Sequence, residues 1–239
     1  MVVPYKDEKS GKKEQVARMF NSISSNYDRL NHLLSLGIDR IWRKKAINYL
    51  SKFNPAKILD VATGTGDFAI QAAVIPASEV IGVDISEGML EAGRIKISKL
   101  GLSTRVRLET GDSEQLPYAD NFFDAVIVAF GVRNFENLDR GLSEINRVLK
   151  PGGHFVVLEI SEPERFPMKQ IFGLYFHKLL PLAGRMISRD NYAYQYLPDS
   201  VAAFPKGEQF LIRMNLAGFK NNVWKPLTFG ICAMYTGEK

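Results

Sequence analysis

A glycine-rich turn follows the first stretch of the chain that has the pattern of a buried strand, residues 57–61. Gly64, Gly66 and Ala69 match the G-x-G-x-x-G/A pattern of nucleotide-binding turns, in which glycine lets the backbone approach a ligand closely. Asp84 ends the next apolar stretch, about 20 residues later, where a carboxylate can accept hydrogen bonds from both hydroxyls of a ribose. The turn and the acid together predict a site for an adenosine-containing ligand. A tight strand-to-helix turn with a solvated acid is the weaker interpretation.

NAD and S-adenosylmethionine both bind to such a turn, and three features favour S-adenosylmethionine. Asp60 lies just ahead of the turn, where its carboxylate can meet an ammonium group but would repel a pyrophosphate. Asp112 and Ser113 follow the third apolar stretch, which places an acid where an adenine amino group can donate to it. We also expect no second domain for the substrate of a hydride transfer after the last predicted strands.

These residues lie in a region in which strands and helices alternate. Such alternation is typical of βαβ units, which build a parallel sheet with helices on both faces. Residues 122–130 form a continuous apolar stretch, as expected of a strand buried on both faces. The predicted strands are 57–61, 79–84, 105–109, 122–130 and 155–160, and the predicted helices between them are 68–74, 87–100 and 138–149.

The last part of the chain breaks this alternation. Residues 223–224 and 228–235 have the pattern of two strands, and the link 225–227 is too short for a crossover, so the pair must be antiparallel. The sequence thus predicts a doubly wound α/β fold with a mostly parallel, seven-stranded sheet that ends in an antiparallel hairpin, as in the Rossmann-like class I methyltransferases. We expect a single domain, organised as N-terminal helices (1–52), a cofactor-binding core (53–161), a helical insertion or lid (162–205) and a last helix with the hairpin (206–239).

The composition argues against several other classes of protein. Of the 239 residues, 46% are hydrophobic and 24% are charged, which is ordinary for a globular protein. The formal net charge of +5 comes without a compact basic cluster interleaved with aromatic residues, so we expect no nucleic-acid partner. The single cysteine, Cys232, lies in an apolar stretch, which indicates an inert core thiol in a reducing, cytoplasmic environment. Nothing in the sequence predicts a signal peptide, a membrane-spanning helix or a metal site.

Several motifs beyond the glycine turn resemble one family of class I methyltransferases, the ubiquinone/menaquinone C-methyltransferases (UbiE/MenG). The resemblance extends over nearly the whole chain, far beyond the cofactor-binding turn. The segments that carry it are Tyr27–Asn31 with Ser35 and Trp42 downstream, 130–134, 147–153 with 158–161, and 194–200. Three residues depart from the family's pattern, since Leu30 stands in place of a methionine and Asp39 and Tyr235 in place of histidines. The resemblance therefore implies no catalytic histidine at those two positions.

The resemblance implies an enzyme that transfers the methyl group of S-adenosylmethionine to a ring carbon of a reduced polyprenyl quinone precursor, converting demethylmenaquinol to menaquinol. The ubiquinone precursor or another small molecule is the alternative substrate, and the intact turn disfavours a non-catalytic binding module. Ile85 and Met89 are candidates for walls of the adenine pocket, with helix packing as the alternative. The residues predicted to bind the cofactor, the glycines from the turn and the others from the resemblance, are Gly64, Thr65, Gly66, Asp84, Asp112 and Ser113.

Arg133 is the predicted catalytic residue. It follows the fourth predicted strand, so it should lie at the carboxyl edge of the sheet, where ligands of open α/β folds bind. Methylation of a ring carbon requires a ring hydroxyl to lose its proton, and a guanidinium group can stabilise the phenolate that forms. The alternative is a surface arginine paired with Glu136. Further candidates for the base, each with a structural alternative, are His177, Asp190, Tyr192 and Tyr196 in the insertion.

The predicted insertion combines apolar side chains, such as those of Phe172 and Tyr175, with basic neighbours. It is expected either to cover a polyprenyl substrate or to form a satellite helix on the sheet, and its composition also suits contact with a membrane surface. We therefore expect a cytoplasmic protein that draws a polyprenyl quinone substrate from the inner face of the membrane by peripheral contact. The sequence leaves the oligomeric state open, with a homodimer as one option.

Overall fold

The computed structural model contains a seven-stranded sheet within the residues that it describes. The strands are β1 (Lys57–Val61), β2 (Glu79–Asp84), β3 (Val106–Thr110), β4 (Phe123–Ala129), β5 (Leu149–Ile160), β6 (Lys220–Leu227) and β7 (Cys232–Glu238). They lie side by side in the order β3-β2-β1-β4-β5-β7-β6. Strands β1 to β5 pair in parallel, and β7 is antiparallel to both of its neighbours. This arrangement confirms the predicted fold class.

The structure describes residues 2–24, 27–28, 31, 35–76, 78–176 and 191–239, without the side chains of 191–195. Leu30, His177 and Asp190, which the sequence singles out, lie outside the described residues, and so does the side chain of Tyr192. Among the helices described here, none is both long and apolar enough to cross a membrane.

Helices cover both faces of the sheet. They are α1 (Lys12–Ile23), α2 (Ile38–Leu50), α3 (Asp67–Ala72), α4 (Glu87–Lys99), α5 (Leu138–Val148), α6 (Met168–Leu174), α7 (Asn191–Ala203) and α8 (Glu208–Leu216). On one face α2, α3 and α4 pack against side chains such as Ile58 and Ile127. On the other face α5 and α8 pack against Leu59 and Val126. Because neighbouring residues of a strand point to opposite faces, each central strand contributes to both cores.

The fifth strand is longer than the sequence predicts. The Lys-Pro-Gly-Gly segment 150–153 is expected to separate a helix from a strand that starts at residue 155, but β5 begins at Leu149. A register shift opposite β4 accommodates the segment. Gly152 N donates a 3.0 Å hydrogen bond to the carbonyl oxygen of Lys239, so the backbone of this part of the strand is hydrogen-bonded.

The turn of the C-terminal hairpin also lies later than predicted. The sequence places the link at 225–227, but Pro226 is part of β6 and the turn follows it. Proline is tolerated there because β6 is an edge strand of the sheet that the described residues form, so one side of it needs no backbone donor. Thr228, Phe229 and Gly230 all have positive φ values and reverse the chain.

The strand order reverses between β1 and β4, which are neighbours in the sheet but not in the sequence. In open α/β sheets, ligands bind at the carboxyl ends of the strands beside such a reversal. The glycine turn follows β1, Asp84 ends β2, Asp112 follows β3 and Arg133 follows β4. The topology thus brings the predicted cofactor-binding and catalytic residues to one edge of the sheet.

Candidate active site

The glycine turn after β1 has the backbone geometry that its sequence predicts. Gly64 and Gly66 have φ values of 57° and 78°, in the left-handed region that residues with a Cβ rarely adopt. Gly64 N donates a 2.8 Å hydrogen bond to Oδ2 of Asp84, and Ser86 N donates a 2.9 Å bond to Oδ1. Burial raises the pKa of Asp84, and these backbone bonds oppose the rise. The acid is thus fixed directly beside the turn.

Asp60 is buried beneath the turn, near the end of β1. Its Oδ2 accepts hydrogen bonds from Thr63 Oγ1 at 2.6 Å and from Ala69 N at 3.0 Å. Its Oδ1 is buried and has no hydrogen-bond partner among the described residues. Burial raises the pKa of Asp60 to about 7. An unpaired carboxylate oxygen at the wall of a cavity fits the ammonium group of S-adenosylmethionine, because a buried acceptor needs a donor.

Helix α1 lies across the carboxyl edge of the sheet and contacts the loops that follow β3 and β4. Lys12 Nζ donates a 3.0 Å hydrogen bond to the carbonyl oxygen of Arg133, in the loop after β4. Lys13 Nζ forms a 2.6 Å ion pair with Oδ2 of Asp112, in the loop after β3. The N-terminal region therefore forms part of the site, and Lys13 holds the carboxylate that is predicted to accept from adenine.

Thr65 links the turn to two other elements. Its Oγ1 donates a 2.5 Å hydrogen bond to Asp28 Oδ1 and accepts a 3.1 Å bond from Lys96 Nζ on α4. Lys96 also pairs with Asp28 at 2.7 Å and with Asp67 at 2.6 Å. The sequence predicts Thr65 as a cofactor-binding residue but gives no sign of this network, which ties the turn to the N-terminal segment.

A first cavity, the cofactor cavity, lies at the glycine turn. Five of the six predicted cofactor-binding residues line it, and Ile85 and Met89 line it with them. Gly66 lies at the N-terminus of α3 and does not line the cavity. The five lining residues are Gly64, Thr65, Asp84, Asp112 and Ser113.

A second cavity, the apolar cavity, adjoins the first and has a volume of about 500 Å³. Tyr27, Arg43 and Phe130 line both cavities and so form the boundary between them. Arg133 also lines the apolar cavity, whose wall includes apolar side chains of α6 such as Phe172. The predicted catalytic arginine and the predicted insertion thus meet around one space beside the cofactor cavity.

Arg133 is buried, and the alternative of a surface arginine paired with Glu136 is wrong. Its side chain is 7% exposed, and Nη1 donates to Glu159 Oε1 at 2.7 Å and to the carbonyl oxygen of Phe130. Glu136 instead accepts a 2.7 Å hydrogen bond from the backbone N of Lys12. The Nε of Arg133 is buried without a partner in the described part of the chain. Arg133 therefore brings a buried positive charge to the wall of the apolar cavity.

Tyr196 is placed as a hydrogen-bond donor and not as a base. Its side chain is buried, and its hydroxyl donates a 3.1 Å hydrogen bond to Oδ1 of Asn134. Burial raises the pKa of Tyr196 to about 12, so the hydroxyl keeps its proton at neutral pH.

Two charged residues near Arg133 are not identified as functional candidates from the sequence. Glu159 is 1% exposed within the otherwise apolar end of β5. Arg43 lies on the buried face of α2, with Trp42 and Ile47. A charged residue at a position that the apolar pattern assigns to the core is the signal that could have found both, because such residues are buried only with a partner or a function.

The doubly wound sheet with its antiparallel seventh strand, and the cavity where its strand order reverses, define a class I methyltransferase fold. A solved S-adenosylmethionine-dependent methyltransferase from Thermotoga maritima, described as a possible histamine N-methyltransferase, has a TM-score of 0.65 at 22% identity, over 93% of this chain and 98% of that chain. The [4+2]-cyclase SpnF has a TM-score of 0.69 at 20% identity, over 96% of this chain and 97% of that chain. Since a cyclase shares the architecture, these likenesses show the fold and not the reaction.

The chain belongs to the ubiE/COQ5 methyltransferase family, whose sequence profile matches residues 8–239. It is 53% identical over 240 residues to the demethylmenaquinone methyltransferase of Bacteroides fragilis, with 100% of this chain and 97% of the relative covered. It is 44% identical over 230 residues to the ubiquinone/menaquinone biosynthesis C-methyltransferase UbiE of Geobacter sulfurreducens, with 95% and 90% covered. The predicted family and enzyme class are confirmed, since the protein is an S-adenosylmethionine-dependent methyltransferase. The interpretation of the glycine turn as an NAD site is therefore wrong.

Proposed function

We propose that this methyltransferase methylates a ring carbon of demethylmenaquinol, the reduced form of a polyprenyl naphthoquinone, to give menaquinol. The observation that carries the proposal is the apolar cavity beside the cofactor cavity. A space of about 500 Å³ with largely apolar walls and a few charged groups suits an aromatic ring and the first part of a prenyl chain. The names of the Bacteroides fragilis and Geobacter sulfurreducens relatives, which both refer to menaquinone, support the same substrate.

Arg133 stabilises the ring oxygen that becomes negatively charged during the reaction. The hydroxyl beside the accepting carbon loses its proton, and its electrons increase the nucleophilicity of that carbon. The guanidinium group of Arg133 is a cation in the wall of the apolar cavity and can donate hydrogen bonds to this oxygen. The ion pair with Glu159 fixes the group from its other side. A preorganised donor in a site without water stabilises such a charge more than it would in solution.

The cofactor cavity holds S-adenosylmethionine through three acids. Asp84 accepts from the ribose hydroxyls, Asp60 pairs with the ammonium group, and Asp112, with Ser113 beside it, accepts from the adenine amino group. When bound, S-adenosylmethionine would supply the methyl group that bonds to the ring carbon as the methyl–sulfur bond breaks, which leaves S-adenosylhomocysteine. The ring carbon then releases its hydrogen as a proton and the ring oxygen takes up a proton, so that the product is again a diol. Phe130, which lines both cavities, positions the ring at their boundary.

A methyl-transfer assay with the purified protein tests this proposal. The protein is mixed with methyl-labelled S-adenosylmethionine and a short-chain demethylmenaquinone that is kept reduced, and the product is identified by mass spectrometry. We expect labelled menaquinol from the reduced substrate and none from the oxidised quinone, which has no hydroxyl to ionise. A higher kcat/KM for the ubiquinone precursor would reassign the substrate, and no turnover of either compound would overturn the proposal.

We further infer that the mouth of the apolar cavity rests on an anionic membrane surface. Leu36, Phe166 and Phe229 are 81%, 82% and 79% exposed, far more than is usual for large apolar side chains. Leu36 lines the cavity, and the other two lie two residues before the lining residues Met168 and Ile231. The same segments expose the basic residues Arg40, Lys44, Lys45, Arg165 and Lys169. Apolar side chains beside basic ones are typical of surfaces that bind at the inner face of a membrane.

Binding to vesicles tests the membrane contact. Replacing both Phe166 and Phe229 by serine should weaken binding to phosphatidylglycerol-containing vesicles at least about tenfold, because two large apolar side chains no longer insert. Leu216→Ser is the matched control, since Leu216 is 76% exposed on α8 and belongs to none of the segments around the cavity. Equal sedimentation of the double variant and the control with vesicles would remove this part of the proposal.

A further inference from the structure

A second buried arginine, Arg43, lines the apolar cavity together with Arg133. Its side chain is 8% exposed and pairs with Asp39, one helical turn earlier on α2. Ser35 Oγ donates a 2.6 Å hydrogen bond to Asp39 Oδ1, which fixes that carboxylate. The guanidinium carbon of Arg43 lies 5.3 Å from the centre of the Phe130 ring, within the range of a cation–π interaction. Arg43 is thus held in place by two different groups.

Each of the two arginines has a donor without an acceptor. The Nε atoms of Arg43 and Arg133 are both buried, and neither has a hydrogen-bond partner among the residues that the structure describes. A buried donor that stays unpaired destabilises the free protein. The wall around them is largely apolar, so the protein offers little else for them to bind. Two buried guanidinium groups in the wall of one cavity fit a ligand that carries two oxygen acceptors.

Arg43 also lies at the boundary with the cofactor cavity, since it lines both spaces. Burial raises the pKa of Tyr27 at this boundary, and a hydrogen bond from Asn31 and the charges of Arg133 and Arg43 oppose the rise. Both guanidinium groups are therefore within electrostatic reach of the same hydroxyl. The two arginines approach one region, next to the place where the methyl group is transferred.

We infer that Arg43 binds the second oxygen of the substrate ring, the one that is not adjacent to the accepting carbon. The inference rests on the proposed function, in which Arg133 takes the oxygen beside that carbon. A ring with two hydroxyls on opposite sides provides an acceptor for each arginine, whereas a ring with one hydroxyl leaves one of the two arginines without an acceptor. Arg43 is thus a substrate-binding residue that selects ring diols, and it takes no part in the bond changes.

The test compares two substrates in several proteins. One substrate is reduced short-chain demethylmenaquinone, and the other is the matching compound that keeps only the hydroxyl beside the accepting carbon. The main variant carries Asp39→Asn and Arg43→Met together, so that no charge is left buried without a partner. Arg43→Lys is a second variant that keeps the charge beside Asp39. Arg107→Met is the control, because Arg107 is 55% exposed on β3, away from both cavities.

The wild-type protein and the control should prefer the diol, as measured by the ratio of kcat/KM values. In the double variant this ratio should fall by about 10- to 100-fold, the scale of one charge-assisted hydrogen bond, while the affinity for S-adenosylmethionine is kept. In Arg43→Lys the ratio should lie between that of the wild-type protein and that of the double variant. An unchanged ratio in an active double variant overturns the inference, and an unchanged ratio with weaker S-adenosylmethionine binding assigns Arg43 to the cofactor's carboxylate instead. A wild-type protein that methylates neither compound refutes the proposed function itself.

Discussion

Replacing Arg133 by methionine should separate its chemical role from its structural one. The loss of one preorganised donor to a developing oxyanion should lower kcat by about 10²–10³-fold. The same change leaves Glu159, which is 1% exposed, as a buried charge without its partner. Breaking a buried ion pair in this way costs about 3–5 kcal/mol, so the variant should also unfold at lower urea concentration. The single variant therefore loses both rate and stability.

The double variant Arg133→Met with Glu159→Gln distinguishes the two effects. Glutamine removes the buried charge and can still accept the 2.9 Å hydrogen bond that Ile160 N donates to Glu159. The double variant should regain most of the lost free energy of unfolding, as measured by urea denaturation, and its kcat per folded molecule should stay low. If kcat returns together with stability, Arg133 is a structural residue and the proposed phenolate stabilisation is refuted.

Three further predictions concern the glycine turn and the two acids beside it. Asp84→Ala should weaken S-adenosylmethionine binding by about 1–3 kcal/mol in isothermal titration, and NADH should show no binding to the wild-type protein. An unaffected variant together with saturable NADH binding would contradict the assignment of the cofactor cavity to S-adenosylmethionine. Burial raises the pKa of Asp60 from 3.8 to about 7, so the folded state binds more protons than the unfolded state between these values, and stability falls as pH rises through this window. Asp60→Asn should remove that decline in urea denaturation, whereas an identical pH profile would show that Asp60 ionises normally. Gly66→Ala should destabilise the protein by about 1–2 kcal/mol, because its φ is 78° and a Cβ would lie 3.3 Å from Leu108 Cδ1. Gly101→Ala, with φ 68° and open space around it, should cost less in the same measurement, and an equal cost would exclude crowding by Leu108.

The strands that carry the site can be located from the sequence because they are short apolar runs with a clear end. The four strands β1 to β4 lie within one residue of their predicted bounds. Since parallel strands end at one edge, the positions of the glycine turn, Asp84, Asp112 and Arg133 follow from those bounds. The placement of the cofactor cavity is therefore largely a consequence of local patterns.

The partners of these residues depend on contacts between distant segments, which local patterns do not contain. Arg133 and Glu159 are 26 residues apart and meet only because β4 and β5 are neighbours in the sheet. Lys13 reaches Asp112 across 99 residues, because α1 lies over the carboxyl edge. The late hairpin turn at Thr228 depends on β6 being an edge strand, where Pro226 is tolerated, and that position is a property of the whole sheet.

The position of the transferred carbon in the product tests the central claim most directly. Trideuteromethyl S-adenosylmethionine and reduced short-chain demethylmenaquinone are incubated with the wild-type protein, and the product is analysed by nuclear magnetic resonance and mass spectrometry. The account predicts a trideuteromethyl group on the ring carbon beside the hydroxyl that Arg133 stabilises, with the ring hydrogen of that carbon lost. A trideuteromethyl group on either oxygen, or no transfer from a protein that binds S-adenosylmethionine, would contradict it.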